Sequence, residues 1–133
     1  MTTERLRILV CEDDKQLAAL ITELLESDGG YAVVGHARDG DESVRLSEAL
    51  SPDLVLMDIG LPGRDGIAAT KAIRDRPSAP HVVIYTGSEE YADIARADEA
   101  GASGYLQKRA LTSPDLPQAL RVLHANYLAA HED

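Results

Sequence analysis

Short runs of apolar residues alternate along this chain with longer segments in which apolar positions recur every three or four residues. The short runs are typical of strands that are buried on both faces, and the longer segments of amphipathic helices. We predict strands at residues 7–11, 31–34, 54–57, 82–85 and 105–106. We predict helices at residues 17–28, 41–50, 67–74, 88–100 and 114–130, and a glycine or proline follows most of them.

The predicted strands and helices alternate five times, at intervals of about 22–28 residues. Strict alternation of this kind indicates an α/β fold, in which one parallel sheet carries helices on both faces. In such sheets the functional crevice lies beyond the carboxyl ends of the strands. The residues that directly follow each strand are therefore the first candidates for a functional site.

Side chains suited to phosphate and metal chemistry follow four of the predicted strands. They are Glu12, Asp13 and Asp14 after the first strand, Asp58 after the third, Thr86 after the fourth and Lys108 after the fifth. Each has an ordinary structural explanation on its own: Asp14, for example, is suited to cap the first helix, and Thr86 is suited to cap the fourth. A convergence of all of them at one sheet edge is much less easily explained by structure alone.

Carboxylates placed side by side repel each other, and a bound cation relieves that repulsion. Oxygen-rich acidic sites with room for water suit Mg²⁺. A divalent ion beside a carboxylate nucleophile can neutralise an incoming phosphoryl group, and ammonium and hydroxyl groups can hold its oxygens. The residues at the strand ends therefore predict phosphoryl chemistry.

The composition narrows the class of protein. The chain has 133 residues, 44% of them hydrophobic, which indicates a single globular domain. Its net charge of −10 argues against direct binding of nucleic acid. No apolar run is long enough for a membrane span or a signal peptide, and Cys11 is the only cysteine. We expect a cytoplasmic protein with no disulfide and no membrane contact.

Four segments together resemble the signature of response-regulator receiver domains. They are ILVCEDD at 8–14, LVLMDIGLPGRDG at 54–66, IYTG at 84–87 and GASGYLQK at 101–108. The resemblance covers about residues 7–123, which we take as the core of one domain spanning 1–133. It implies a flavodoxin-like (βα)5 fold with a single doubly wound five-stranded parallel sheet in the order 2-1-3-4-5.

The resemblance also implies a phosphoacceptor and its metal site. Asp58 matches the aspartate that is phosphorylated, giving 4-aspartylphosphate. Asp13 matches the acidic ligand of Mg²⁺, and Glu12 matches its neighbour, which usually acts through water. Asp58 and the backbone carbonyl of Gly60 would complete the protein ligands. An alignment that uses Asp14 in place of Asp13 is also conceivable, although Asp13 keeps the first strand in register.

Three further positions match the switch of the family. Thr86 and Lys108 correspond to the residues that hold the phosphoryl oxygens. Tyr105 corresponds to the switch aromatic, which turns inward when Thr86 moves toward the phosphate; the alternative is a packed tyrosine with one rotamer. One departure concerns Arg109, because receivers commonly have proline after the lysine, although those that precede LuxR-type DNA-binding domains often lack it.

The implied function is a phosphorelay switch and not an enzyme in the usual sense, since such a domain catalyses only its own phosphorylation and dephosphorylation. Its partners would be a sensor histidine kinase or phosphotransfer protein, a downstream protein on the face of the fourth helix, fifth strand and fifth helix, and after phosphorylation a second copy of itself. After the last helix we expect no DNA-binding or catalytic segment in this sequence, so it would be either a protein that acts alone by docking or the receiver piece of a longer chain. Residues 124–133 would be the end of that helix or the start of a linker.

Two other functions deserve comparison. A receiver fold that works without phosphorylation would lack the acceptor, a metal ligand or the lysine, and none is missing here. A Mg²⁺-dependent phosphohydrolase of the haloacid-dehalogenase kind wants Asp-x-Asp directly after the first strand. Residues 12–15, with the sequence EDDK, do not supply it.

Overall fold

The computed structural model describes residues 4–61, 63, 65–87 and 91–131. Its strands are β1 (Leu6–Cys11), β2 (Tyr31–Ala37), β3 (Leu54–Asp58), β4 (His81–Thr86) and β5 (Tyr105–Gln107). They form one sheet in the order β2-β1-β3-β4-β5, and every neighbouring pair is parallel. The predicted fold class and strand order are confirmed.

The helices are α1 (Lys15–Asp28), α2 (Gly40–Leu50), α3 (Gly66–Arg74), α4 (Tyr91–Glu99) and α5 (Leu116–Ala130), with a short 3-10 helix at Lys108–Thr112. They cover both faces of the sheet, so β1, β3 and β4 are largely buried, whereas the edge strands β2 and β5 are mostly half-buried. Within the described residues, no helix combines the length and the apolar character that crossing a membrane requires.

Two apolar clusters lie on opposite faces of the sheet. One joins the sheet to α1 and α5, and the other joins it to α3 and α4 with α2 packed at its side. The first includes Ile8, Val10, Ile21, Leu25, Leu54, Leu56, Leu116 and Leu120. The second includes Leu9, Val55, Met57, Ala69, Ile73, Val82, Ile84 and Ala97. Alternate residues of β1, β3 and β4 thus face different clusters, as the pleat of a strand requires.

Several elements differ in extent from the prediction. β2 runs on to Ala37, because a register shift between Ile8 and Leu9 lets the end of β1 pair with residues 35–37, where the apolar pattern is already broken. The 3-10 helix after β5 was not predicted, and α5 begins at Leu116 instead of residue 114. α4 begins at Tyr91, and the first three residues predicted for it, 88–90, lie outside the described part.

An aromatic stack joins α5 to the amino edge of the sheet. The ring of His81, the first residue of β4, lies parallel to the ring of Tyr127 at a centroid distance of 4.2 Å. His81 Nδ1 is 3.1 Å from His124 Nδ1, and Arg74 donates a hydrogen bond to the Tyr127 hydroxyl at 2.9 Å. His81 is only 1% exposed. Burial and the neighbouring His124 lower the pKa of His81 to about 4.

Candidate functional site

Three carboxylates meet at the carboxyl edge of the sheet. Glu12 and Asp13 directly follow β1, and Asp58 is the last residue of β3. Because β1 and β3 are adjacent and Cys11 pairs with Met57, the residues after these strands lie side by side. One oxygen from each of the three carboxylates lies within 4.8 Å of the others. Glu12 and Asp58 are 2% and 8% exposed, while Asp13 is exposed.

The Asp58 carboxylate is held by the loop that follows it. The backbone N–H of Gly60 donates to Asp58 Oδ1 at 2.9 Å. Burial raises the pKa of the Asp58 carboxyl above its usual range; the Gly60 N–H and the charge of Lys108 lower it, and the charge of Asp13 raises it. A cation between these carboxylates would therefore relieve both the loss of solvation and the repulsion.

The first residue of α3 packs against the backbone of Asp58. A Cβ atom on Gly66 would lie 2.2 Å from the Asp58 carbonyl oxygen and 2.7 Å from the Ile59 Cα. Gly66 also donates its N–H to the Ile59 carbonyl at 3.2 Å. The absence of a side chain at Gly66 thus lets α3 begin directly behind the candidate phosphoacceptor.

The Glu12 carboxylate has a hydrogen-bond donor on each oxygen. The backbone N–H of Asp14 donates to Oε2 at 3.0 Å, and the Tyr85 hydroxyl donates to Oε1 at 2.7 Å. Burial raises the pKa of Glu12, and these two hydrogen bonds oppose that effect. Tyr85 was not predicted as a site residue, because in the sequence it occupies an ordinary position of a buried strand.

The structure separates the roles of Asp13 and Asp14. Asp14 is the N-cap of α1, and its side chain accepts hydrogen bonds from the backbone N–H groups of Gln16 and Leu17 at 2.9 and 3.2 Å. Asp13 instead belongs to the carboxylate group with Glu12. The geometry favours Asp13 as the candidate metal ligand, and the predicted capping role of Asp14 is confirmed.

Thr86 and Lys108 lie together beside this edge. Thr86 ends β4 and pairs with Gln107, so the following residue, Lys108, is brought close to it. Both line a cavity of about 140 Å³ together with Gly87 and Arg109. Thr86 is half-buried and Lys108 is exposed. The arrangement offers a hydroxyl and two cationic side chains to an anion that enters this cavity.

Tyr105 connects β5 to α4. Its ring is half-buried against the cluster on the α3 and α4 side of the sheet. Its hydroxyl donates to Asp98 Oδ1 at 3.2 Å. Burial and the charge of Asp98 raise the pKa of Tyr105 to about 12. Tyr105 therefore links β5, which pairs with β4 at Ile84, to α4.

The family model of the response regulator receiver domain matches residues 8–121. The chain belongs to this family. It is similar to the transcriptional regulatory protein PdtaR of Mycobacterium tuberculosis, with 41% identity over 102 residues, covering 77% of this chain and 49% of PdtaR. It is also similar to the nitrate/nitrite response regulator NarL of Escherichia coli, with 30% identity over 125 residues, covering 94% and 57% of the two chains. This receiver spans about half the length of these relatives.

Solved receiver structures have the same architecture. The signal receiver domain of NarL from Mycobacterium tuberculosis superposes with a TM-score of 0.85 at 28% identity, covering 92% of this chain and 98% of that one. A LuxR-family response regulator from Aurantimonas superposes with a TM-score of 0.83 at 38% identity, covering 92% and 87%. Response regulators of this family act in two-component signal transduction.

The donor set of this receiver fits Mg²⁺. Its three carboxylates offer oxygen atoms, which Mg²⁺ prefers, and neither histidine nor cysteine is a member of the group. The two buried carboxyls with raised pKa values carry a cost of ionisation that a bound cation offsets. The ligand role of the Gly60 carbonyl stays a prediction; its backbone N–H is the group that contacts Asp58.

Proposed function

We propose that this receiver is a phosphorelay switch in which Asp58 accepts a phosphoryl group in the presence of Mg²⁺. The observation that carries the proposal is the meeting of Glu12, Asp13 and Asp58 within 4.8 Å, on the same side of the sheet edge as Lys108. The buried carboxylate of Asp58 supplies the nucleophile. A cation held by Asp13 and Asp58, with Glu12 acting through water and the Gly60 carbonyl as a further ligand, would neutralise charge on the phosphoryl oxygens.

In the proposed reaction, a carboxylate oxygen of Asp58 attacks phosphorus in a phosphohistidine of a sensor kinase or phosphotransfer protein. A P–O bond forms, the P–N bond breaks, and the bonding pair leaves with the imidazole nitrogen. Lys108 contributes a charge-assisted contact to a phosphoryl oxygen, and the Thr86 hydroxyl donates to another. The product is an acyl phosphate that water can hydrolyse, so the signal has a limited lifetime.

The proposed output is a change on the face formed by α4, β5 and α5. A phosphoryl group adds negative charge and strong acceptor oxygens, which draw the Thr86 hydroxyl inward. That movement vacates space for the ring of Tyr105, which now contacts Asp98 of α4. A downstream protein, or a second phosphorylated copy, would bind the altered face.

We place this receiver, residues 1–133 with its core at 7–123, in the cytoplasm.

The experiment is phosphorylation of the purified chain with acetyl phosphate and Mg²⁺, followed by intact mass spectrometry. The wild type should gain one phosphoryl group, and Asp58→Asn should gain none. Asp75→Asn, an exposed change at the end of α3, is the matched control and should behave as the wild type does. A phosphoryl group that persists in Asp58→Asn would refute the assignment.

Lys108→Ala should slow the reaction, because the charged contact is lost.

A further inference from the structure

Tyr85 is a buried tyrosine whose hydroxyl is directed at the metal-site carboxylates and has no part in the reaction just described. It lies on β4 beside Asp58, with which it pairs across the sheet, and its side chain is fully buried. Its hydroxyl is 2.7 Å from Glu12 Oε1 and 3.1 Å from the Cys11 carbonyl oxygen. A hydroxyl has a single proton, and the shorter distance to the charged acceptor indicates that Glu12 receives it.

The hydrogen bond from Tyr85 restricts the orientation of the Glu12 carboxylate. Its Oε2 accepts the Asp14 N–H and its Oε1 accepts the Tyr85 hydroxyl, so the plane of the carboxylate is held at two points. Glu12 is almost completely buried, and a buried carboxylate without donors is costly. Groups that hydrogen-bond to metal-site carboxylates commonly tune metal affinity through orientation and charge.

We propose that Tyr85 is a positioning residue that sets the Mg²⁺ affinity of the site by holding the Glu12 carboxylate, through its hydroxyl, in the orientation that faces Asp13 and Asp58. This inference rests on the proposed function, because it assumes that these carboxylates bind Mg²⁺. Tyr85 itself does not contact the metal or the phosphoryl group.

The test is the dissociation constant for Mg²⁺, measured by calorimetric titration of the unphosphorylated chain. Tyr85→Phe keeps the ring and removes only the hydroxyl, and we expect binding about tenfold weaker than in the wild type. Tyr31→Phe is the matched control. Tyr31 is also buried, and its hydroxyl donates to the Pro117 carbonyl on the far side of the molecule from the site. Its dissociation constant should stay within about twofold of the wild type, since distant sites act independently.

A double-mutant cycle separates positioning from general destabilisation. If Tyr85 acts through the charge of Glu12, the loss of its hydroxyl should change Mg²⁺ affinity far less in a Glu12→Gln background than in the wild type. A second readout is the rate of phosphorylation by acetyl phosphate. For Tyr85→Phe the rate should be reduced at low Mg²⁺ and should return to nearly the wild-type value at saturating Mg²⁺.

Three results would overturn the inference. One is an unchanged or lower Mg²⁺ dissociation constant in Tyr85→Phe, which would make the hydroxyl purely structural. Another is an equal effect in both Glu12 backgrounds. These two leave the proposed function intact, whereas a wild-type chain that binds no Mg²⁺ would remove the proposed function and the inference together.

Discussion

Asp13 is the exposed member of the three-carboxylate group, and its charge raises the pKa of the buried Asp58. Removing that charge should relieve repulsion in the metal-free protein and remove a metal ligand at the same time. We expect Asp13→Asn to melt at a higher temperature than the wild type in EDTA and to lose the stabilisation by Mg²⁺. In the wild type, Mg²⁺ at 100 times its dissociation constant should add about 2.7 kcal/mol.

Asp14→Asn is the control for this prediction, because it removes one charge from the neighbouring residue and keeps an oxygen that can cap α1. Its Mg²⁺-dependent shift should remain. Thermal melts of the three proteins with EDTA and with Mg²⁺ are sufficient. A normal Mg²⁺ shift in Asp13→Asn would contradict the choice of Asp13 as a ligand.

His81, at the opposite edge of the sheet from the carboxylates, makes the free energy of unfolding depend on pH. Its folded-state pKa of about 4 lies below the usual value of 6.5. Between these values the unfolded chain binds a proton that the folded chain does not, so stability falls as the pH falls from about 6.5 to about 4. The loss is complete below the folded pKa and amounts to at most about 3 kcal/mol.

The measurement is urea unfolding of the wild type and of His81→Phe, which keeps a ring to stack on Tyr127. The stability of the wild type relative to the variant should decline as the solution is acidified through this window. Glu12 and Asp58 have raised pKa values and act in the opposite sense, but they are present in both proteins and cancel in the difference. A difference that stays constant from neutral pH to pH 4 would rule out this role for His81.

At the scale of the element, α1 depends on its first cap. The Asp14 side chain accepts hydrogen bonds from two backbone N–H groups that otherwise have no partner within the helix. Asp14→Ala should lower the free energy of unfolding by about 1 kcal/mol relative to Asp14→Asn, since the two variants have the same charge and differ in the cap. Urea unfolding of both variants measures this difference, and equal midpoints would show that the cap contributes nothing.

The pair formed by α4 and β5 is the element that should respond to phosphorylation. The Tyr105 hydroxyl on Asp98 is the contact that a rotation of the ring would break. We expect beryllofluoride, a mimic of the acyl phosphate, to change amide NMR signals mainly between residues 86 and 120. Changes confined to α1 and β2, with residues 86–120 unaffected, would contradict the proposed readout. A Tyr105→Phe variant lacks the hydrogen bond to Asp98 even without beryllofluoride. Its spectrum therefore identifies the amide signals that report the loss of this contact.

At the scale of the molecule, the order of elements and the acidic edge could be predicted because both follow from local patterns. Apolar runs mark the strands, and the rule for parallel sheets brings their carboxyl ends together. The contact of Tyr85 with Glu12 could not be predicted, because it depends on the register of β1, β3 and β4 and on which face the ring occupies. The stack of His81 on Tyr127 joins residues 46 positions apart and likewise requires the packed structure.

The extent of the elements also depends partly on the packed structure and not only on local sequence patterns. The end of β2 is polar, and pairing with β1 after a register shift, not hydrophobicity, extends it to Ala37. The 3-10 helix after β5 begins with Lys108 and Arg109. Neither feature has a periodic pattern that could be recognised before the chain is folded.

The close approach of Gly66 to Asp58 limits how this sequence can vary. A methyl group at Gly66 would overlap the Asp58 carbonyl, so either α3 or the end of β3 would have to shift. In a saturation library screened for phosphorylation, Gly66 should tolerate as few replacements as Asp58, although it contributes no functional group. Substitutions should then be tolerated on the outer surface of α3 and excluded at its first residue, Gly66.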